Sequence, residues 1–110
     1  MAKTKITYLA HTFGKKPKKV TAESVYSGIF GVRKEGRDWT LDHVATGLSV
    51  TLLRKKSLIL ELVGELAHLN WDFKSIEDPA FIRQSAEMQD IVSKFRLSVL
   101  ERGQYPSDTA

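Results

Sequence analysis

The sequence predicts an α+β fold: a four-stranded antiparallel sheet, a meander, followed by two helices packed on one of its faces. Three observations lead there. Over residues 1–54, β-branched and aromatic side chains alternate with polar ones and are punctuated by glycine turns, the period of half-buried strands. Over residues 55–102, apolar side chains recur at three- and four-residue spacing, the period of amphipathic helices. The change of period coincides with a change of charge. Residues 1–56 hold twelve Lys and Arg against four acids, 12 − 4 = +8, and residues 57–110 hold five against nine, 5 − 9 = −4.

The first strand is expected over residues 6–13, with Ile6, Tyr8 and Ala10 on one face and Thr7, Leu9 and Phe13 on the other. The stretch FGKKPKK follows, four lysines around Pro17, and reads as a loop because proline cannot donate to a ladder. A second strand is expected over 25–34, weakened by Gly28 and Gly31, and Glu35-Gly36 turns the chain tightly. A third follows over 37–44, with Trp39, Leu41 and His43 opposite Asp38, Thr40, Asp42 and Val44. Thr46-Gly47 then leads into a fourth over 48–53. The first helix is expected over 55–70, with Asn70 as its C-terminal cap. The second, Pro79–Glu101, opens on Asp78-Pro79, an N-cap acceptor followed by proline at the first helical position, and stops at Gly103. This describes a single domain over 1–102, with a basic β half (1–54), an acidic helical half (55–102) and a flexible tail over 103–110.

Composition removes several functions. Without cysteine there is no disulfide, thiolate nucleophile or Cys-type zinc site, which fits a reducing cytoplasm. The N-terminal residues lack the continuous apolar run of a signal peptide. The most apolar stretch, 58–69, is interrupted by Glu61, Glu65 and His68, so no membrane span is expected. Asp42 and His43 are neighbours on a strand and point to opposite faces, which forbids a catalytic Asp–His pair. Asp38 and Asp42 share a face but lack a third ligand for a metal, and read as a solvated strand face. His11, His43 and His68 have no ligand spacing, and the Gly28–Gly31 segment lacks the lysine and third glycine of a phosphate loop. No enzyme, cofactor or metal is expected.

What remains is charge. Lys15, Lys16, Lys18, Lys19, Arg33, Lys34, Arg37, Arg54, Lys55 and Lys56 fall at strand ends and turns, where they can meet phosphates. Tyr8, Tyr26 and Trp39 are candidate stacking side chains on a sheet face that the helices leave open. The reading is a non-enzymatic nucleic-acid-binding protein that favours single-stranded DNA or RNA. The alternative is a protein-interaction module, an inhibitor or accessory subunit that meets an acidic protein surface. The wide apolar arcs of both helices, including Leu60, Leu97 and Leu100, also suit a homodimer through the helices.

Overall fold

The computed structural model describes residues 4–11 and 16–104. An antiparallel sheet precedes two helices: β1 (Lys5–Ala10), β2 (Lys18–Val25), β3 (Phe30–Glu35), β4 (Asp38–His43), β5 (Leu48–Leu53), α1 (Lys56–Leu66) and α2 (Pro79–Glu101). The strands are hydrogen-bonded in chain order, the meander expected, but among the described residues there are five rather than four. The added strand is β2, which takes up Lys18 and Lys19 from the expected loop. Its half-buried Val20 and buried Ala22 alternate with exposed Lys19 and Thr21, and Pro17 stands outside the ladder.

The strand expected over 25–34 is broken at its start. Tyr26, Ser27 and Gly28 all have positive φ (53°, 56° and 83°) and reverse the chain between β2 and β3. Such angles cost a non-glycine residue about 1–2 kcal/mol. Tyr26 offsets part of this by donating its hydroxyl to the Ala67 carbonyl (2.9 Å) and stacking on Phe30. The β3–β4 turn is the one expected: Glu35 pairs with Asp38 across a two-residue loop whose first residue, Gly36, has φ 61°.

The sheet curls on itself. His11 N–H donates to the Gly47 carbonyl (2.7 Å), and His11 bridges Leu48 in parallel, so the end of β1 meets the start of β5. Gly47 makes that approach possible: its φ is 73°, and a Cβ there would collide with the Leu9 carbonyl oxygen. On the outer flank of β5, Arg96 of α2 donates to the Leu52 carbonyl (2.6 Å), which covers an otherwise open strand edge.

The helices cover one face. Phe30, Val32, Leu41 and Leu53 from the strands pack against Leu58, Ile59, Leu62 and Leu66 of α1 and Met88, Phe95 and Val99 of α2. Trp71 and Phe73, from the connection between the helices, complete this core, with Trp71 edge-on to Phe30 at 4.7 Å. Helix α1 stops earlier than expected, at Leu66, because side chains satisfy the carbonyls at its end. Trp71 Nε1 donates to the Leu66 carbonyl (2.8 Å), and Tyr26 to that of Ala67. Asn70 is therefore not its cap; its side chain accepts from the Asp72 N–H instead (2.9 Å). Helix α2 has the expected bounds. Asp78 accepts from Ala80 N–H (2.8 Å), and Gly103 (φ 79°) closes the last turn with Gln104 N–H on the Val99 carbonyl (3.2 Å). Of the tail expected over 103–110, residues from 105 onward lie outside the described residues. Among the described residues, no helix is long and apolar enough to cross a membrane.

Candidate functional site

The face turned away from the helices is not open. Asp42 and Thr40 are fully buried there, and Asp38, Ser49, Ala22 and Arg33 nearly so, which corrects the expected solvated strand face. The curl of the sheet encloses this face, and small residues make the curl possible. The Tyr8 ring lies over Gly31, where any side chain would strike it.

Asp42 is the centre of this polar interior. One carboxylate oxygen accepts from the Tyr8 hydroxyl (2.6 Å) and from Arg33 Nε (2.8 Å), and the other accepts from Ser49 Oγ (2.8 Å). A buried charge is tolerable only when so partnered. Arg33 also donates through Nη1 to Glu35, and Lys18 donates to the other Glu35 oxygen (3.0 Å). Four strands and the start of β2 are thus tied into one chain of charged hydrogen bonds. Burial pushes the Tyr8 hydroxyl strongly upward, reinforced by the bond to Asp42, so it stays a protonated donor. Burial alone would lower the Arg33 guanidinium, but Asp42 and Glu35 outweigh it and raise it. Glu35 is the reverse case: burial favours its acid form, while hydrogen bonds from Lys18 and Arg33 hold it below the ordinary carboxylate range.

Two expected ligand-binding residues are therefore interior. Tyr8 is half-buried with its hydroxyl on Asp42, and Arg33, 7% exposed, is held by Asp42 and Glu35 rather than turned outward. Tyr26 is exposed, but it lies in the β2–β3 turn, at the opposite end of the sheet from the β3–β4 turn. Lys15 lies outside the described residues.

The remaining residues gather differently. Because β2 runs antiparallel to β3, its first residues stand where β3 ends; β5 ends beside the start of β4, with Leu53 opposite Trp39. Three segments, 16–19, 34–37 and 54–56, thus come to one end of the sheet. Lys16, Lys18, Lys19, Lys34, Arg37, Arg54 and Lys55 are exposed there, and Lys56 is half-buried. Beside them the β2–β3 ladder runs only from Val25↔Phe30 to Glu23↔Val32. Beyond that point the two strands diverge around a groove of about 650 Å³, lined among others by Lys5, Lys18, Thr21, Glu23, Lys34 and Trp39. Trp39 is half-buried, with Lys34 Nζ at 6.0 Å and Lys56 Nζ at 5.7 Å from its ring centre, within reach of a cation–π contact. Lys56 also pairs with Glu23 (2.5 Å).

Sequence reasoning did not find Lys5 and Glu23 as groove residues, nor Asp42 and Ser49 as members of a buried network. Lys5 and Glu23 are paired across β1 and β2, so only knowledge of β2 as a strand would have brought them together. His43 is buried. Its Nε2–H donates to the Trp71 carbonyl (2.9 Å), since a carbonyl can only accept, and the neutral ring then accepts at Nδ1 from the Thr46 hydroxyl (2.9 Å). Among the described residues no cluster of three His, Asp or Glu stands ready for a metal. No protein-family model, curated protein or solved structure matches this chain.

Proposed function

We propose that this chain is a small, non-enzymatic nucleic-acid-binding protein that grips phosphates at the end of the sheet where β2 begins, the β3–β4 turn lies and β5 ends. One observation carries the reading: antiparallel pairing collects three lysine- and arginine-bearing segments, far apart in sequence, at that one end. Phosphate-gripping proteins need cations spaced along a surface, and Lys16, Lys19, Lys34, Arg37, Arg54 and Lys55 supply exposed ones. Several cations of this end also have protein partners, Lys18 at Glu35 and Lys56 at Glu23 among them, so a phosphate must compete with those contacts.

Single strands are favoured over duplex. Trp39 is the aromatic of this end among the described residues, and it sits at the groove between the diverging strands. A single strand can turn an unpaired base onto an indole, whereas a paired base stays in its stack. The aromatic sheet face first expected does not contribute, because Tyr8 is held inside.

The test is a fluorescence-anisotropy titration of labelled single-stranded DNA, single-stranded RNA and duplex DNA at two salt concentrations. Tighter binding of single strands, with affinity falling steeply as salt rises, is the expected outcome. Absence of binding at low salt would end this reading and leave an acidic protein surface as the partner to seek.

A further inference from the structure

Helix α2 leaves one ridge uncovered. Ile82, Leu97 and Leu100 are 61%, 57% and 48% exposed, although they lie on the same helix as buried Met88, Phe95 and Val99. At about 100° per residue, Ile82, Ala86, Gln89, Ser93, Leu97 and Leu100 fall on one arc, pointing away from those core residues. All six are exposed and none is charged. A second exposed row runs along one flank of the ridge: Arg83, Glu87, Asp90, Lys94 and Glu101, of which Glu87 is turned furthest from the ridge and faces His68 of its own chain at 3.5 Å. Within it, Lys94 and Asp90 pair along the helix at 2.9 Å.

We propose that this ridge is a homodimer interface, in which α2 packs antiparallel on α2 of a second copy about a two-fold axis. The charge pattern selects the partner and its direction. In an antiparallel pair related by a two-fold, each flank faces the same flank of the other copy, and every contact occurs twice. Setting Ile82 against Leu100 of the second copy also sets Ala86 near its Leu97. The same register brings Arg83 to Glu101 of the second copy and Asp90 to its Lys94, so the flank becomes a row of opposite charges. A parallel pair about a two-fold along the helices would instead set this flank against the opposite one, of Ser85, Val92 and Arg96, which offers Arg83 and Lys94 no carboxylate. The two-fold passes near residue 91, where Gln89 of each copy meets the small Ser93 of the other, and helices so packed lie about 8–10 Å apart. The apolar arcs of α1 do not take part in this way, because Leu58, Ile59, Leu62 and Leu66 are spent on the chain's own core. This interface is independent of the nucleic-acid reading, since its residues lie on a different element from the lysine-bearing end.

Sedimentation equilibrium of the full chain over a range of concentrations tests it. The expected result is a monomer–dimer equilibrium in the micromolar range, the strength of a small interface. Leu97→Asp, at an exposed position that folding does not need, should leave a monomer. Arg83→Glu alone and Glu101→Arg alone should each weaken the dimer about tenfold, since each places like charges in contact twice. An equimolar mixture of those two single variants should recover the parent affinity, because each hetero-pair restores opposite charges at both contacts. A chain that stays monomeric at every concentration would overturn the proposal. So would a dimer indifferent to Leu97→Asp, or a mixture no tighter than the separate variants.

Discussion

Asp42→Ala removes the one carboxylate on which β1, β3 and β5 converge, through Tyr8, Arg33 and Ser49. Taking away one partner of a buried ion pair costs about 3–5 kcal/mol, because the other charge is left without compensation. Tyr8 and Ser49 lose a charged acceptor as well, each worth about 1.5–3 kcal/mol alone, but losses within one network do not add. Glu35 remains beside Arg33 and limits the damage. The expected cost is therefore about 3–4 kcal/mol. For a domain of this size that lowers the melting temperature by at least about 12 °C. Urea unfolding followed by tryptophan fluorescence gives the midpoint, and an unchanged slope would assign the shift to stability rather than to a different unfolded state. Asp72→Ala, at an exposed carboxylate, is the control and should stay within about 0.5 kcal/mol. If Asp42→Ala cost less than about 1 kcal/mol, the carboxylate would be behaving as a solvated surface group, and the enclosed polar face would be refuted.

Three further outcomes follow from the same geometry. Tyr8→Phe keeps the ring over Gly31 but loses the hydroxyl, and should cost about 1.5–3 kcal/mol by the same urea assay. Gly47→Ala adds a Cβ against the Leu9 carbonyl at a left-handed φ, and should destabilise by more than about 2 kcal/mol by prising the end of β1 from β5. Burial lowers the His43 pKa, offset in part by the bond to the Trp71 carbonyl, so the folded chain keeps the ring neutral where the unfolded chain protonates it, near about pH 6.5. Below that pH the unfolded state binds more protons. The His43 contribution is thus complete above it and is lost as pH falls through the folded value. Urea midpoints at about pH 7.5 and about pH 5.5 should differ in that direction, and equal midpoints would contradict it.

Local chemistry made some of this fold legible in the sequence. Asp78 and Pro79 fix the start of α2, and Gly36 fixes the β3–β4 turn, because each acts on its immediate neighbours. Strand β2 was obscured by its own composition: four of its first six residues are short or charged, and they pair with β1 through the backbone rather than through a large apolar face. The turn at Tyr26 and Ser27 was hidden because neither residue type announces a positive φ. The enclosed face was hidden for a different reason. Asp38, Thr40 and Asp42 give the same alternation whether that face meets water or a polar interior. Only Tyr8 and Arg33, distant in sequence, decide between them. For the candidate site, Lys34, Arg37, Arg54 and Lys55 could be grouped from the meander alone, whereas bringing the lysines of residues 16–19 to the same end required knowing that β2 pairs with β3.

The most direct test of the proposed phosphate grip is the salt dependence of single-stranded DNA affinity, compared between two sets of alanine variants. One set replaces Lys16, Lys19, Lys34 and Lys55 at the end of the sheet; the other replaces Lys74 and Arg102 in the helical half, both exposed and outside the proposed dimer contacts. The account predicts that the first set weakens binding and flattens the slope of log affinity against log salt by about one per phosphate contact removed, while the second leaves both unchanged. Equal losses from the two sets, or no loss from the first, would contradict it.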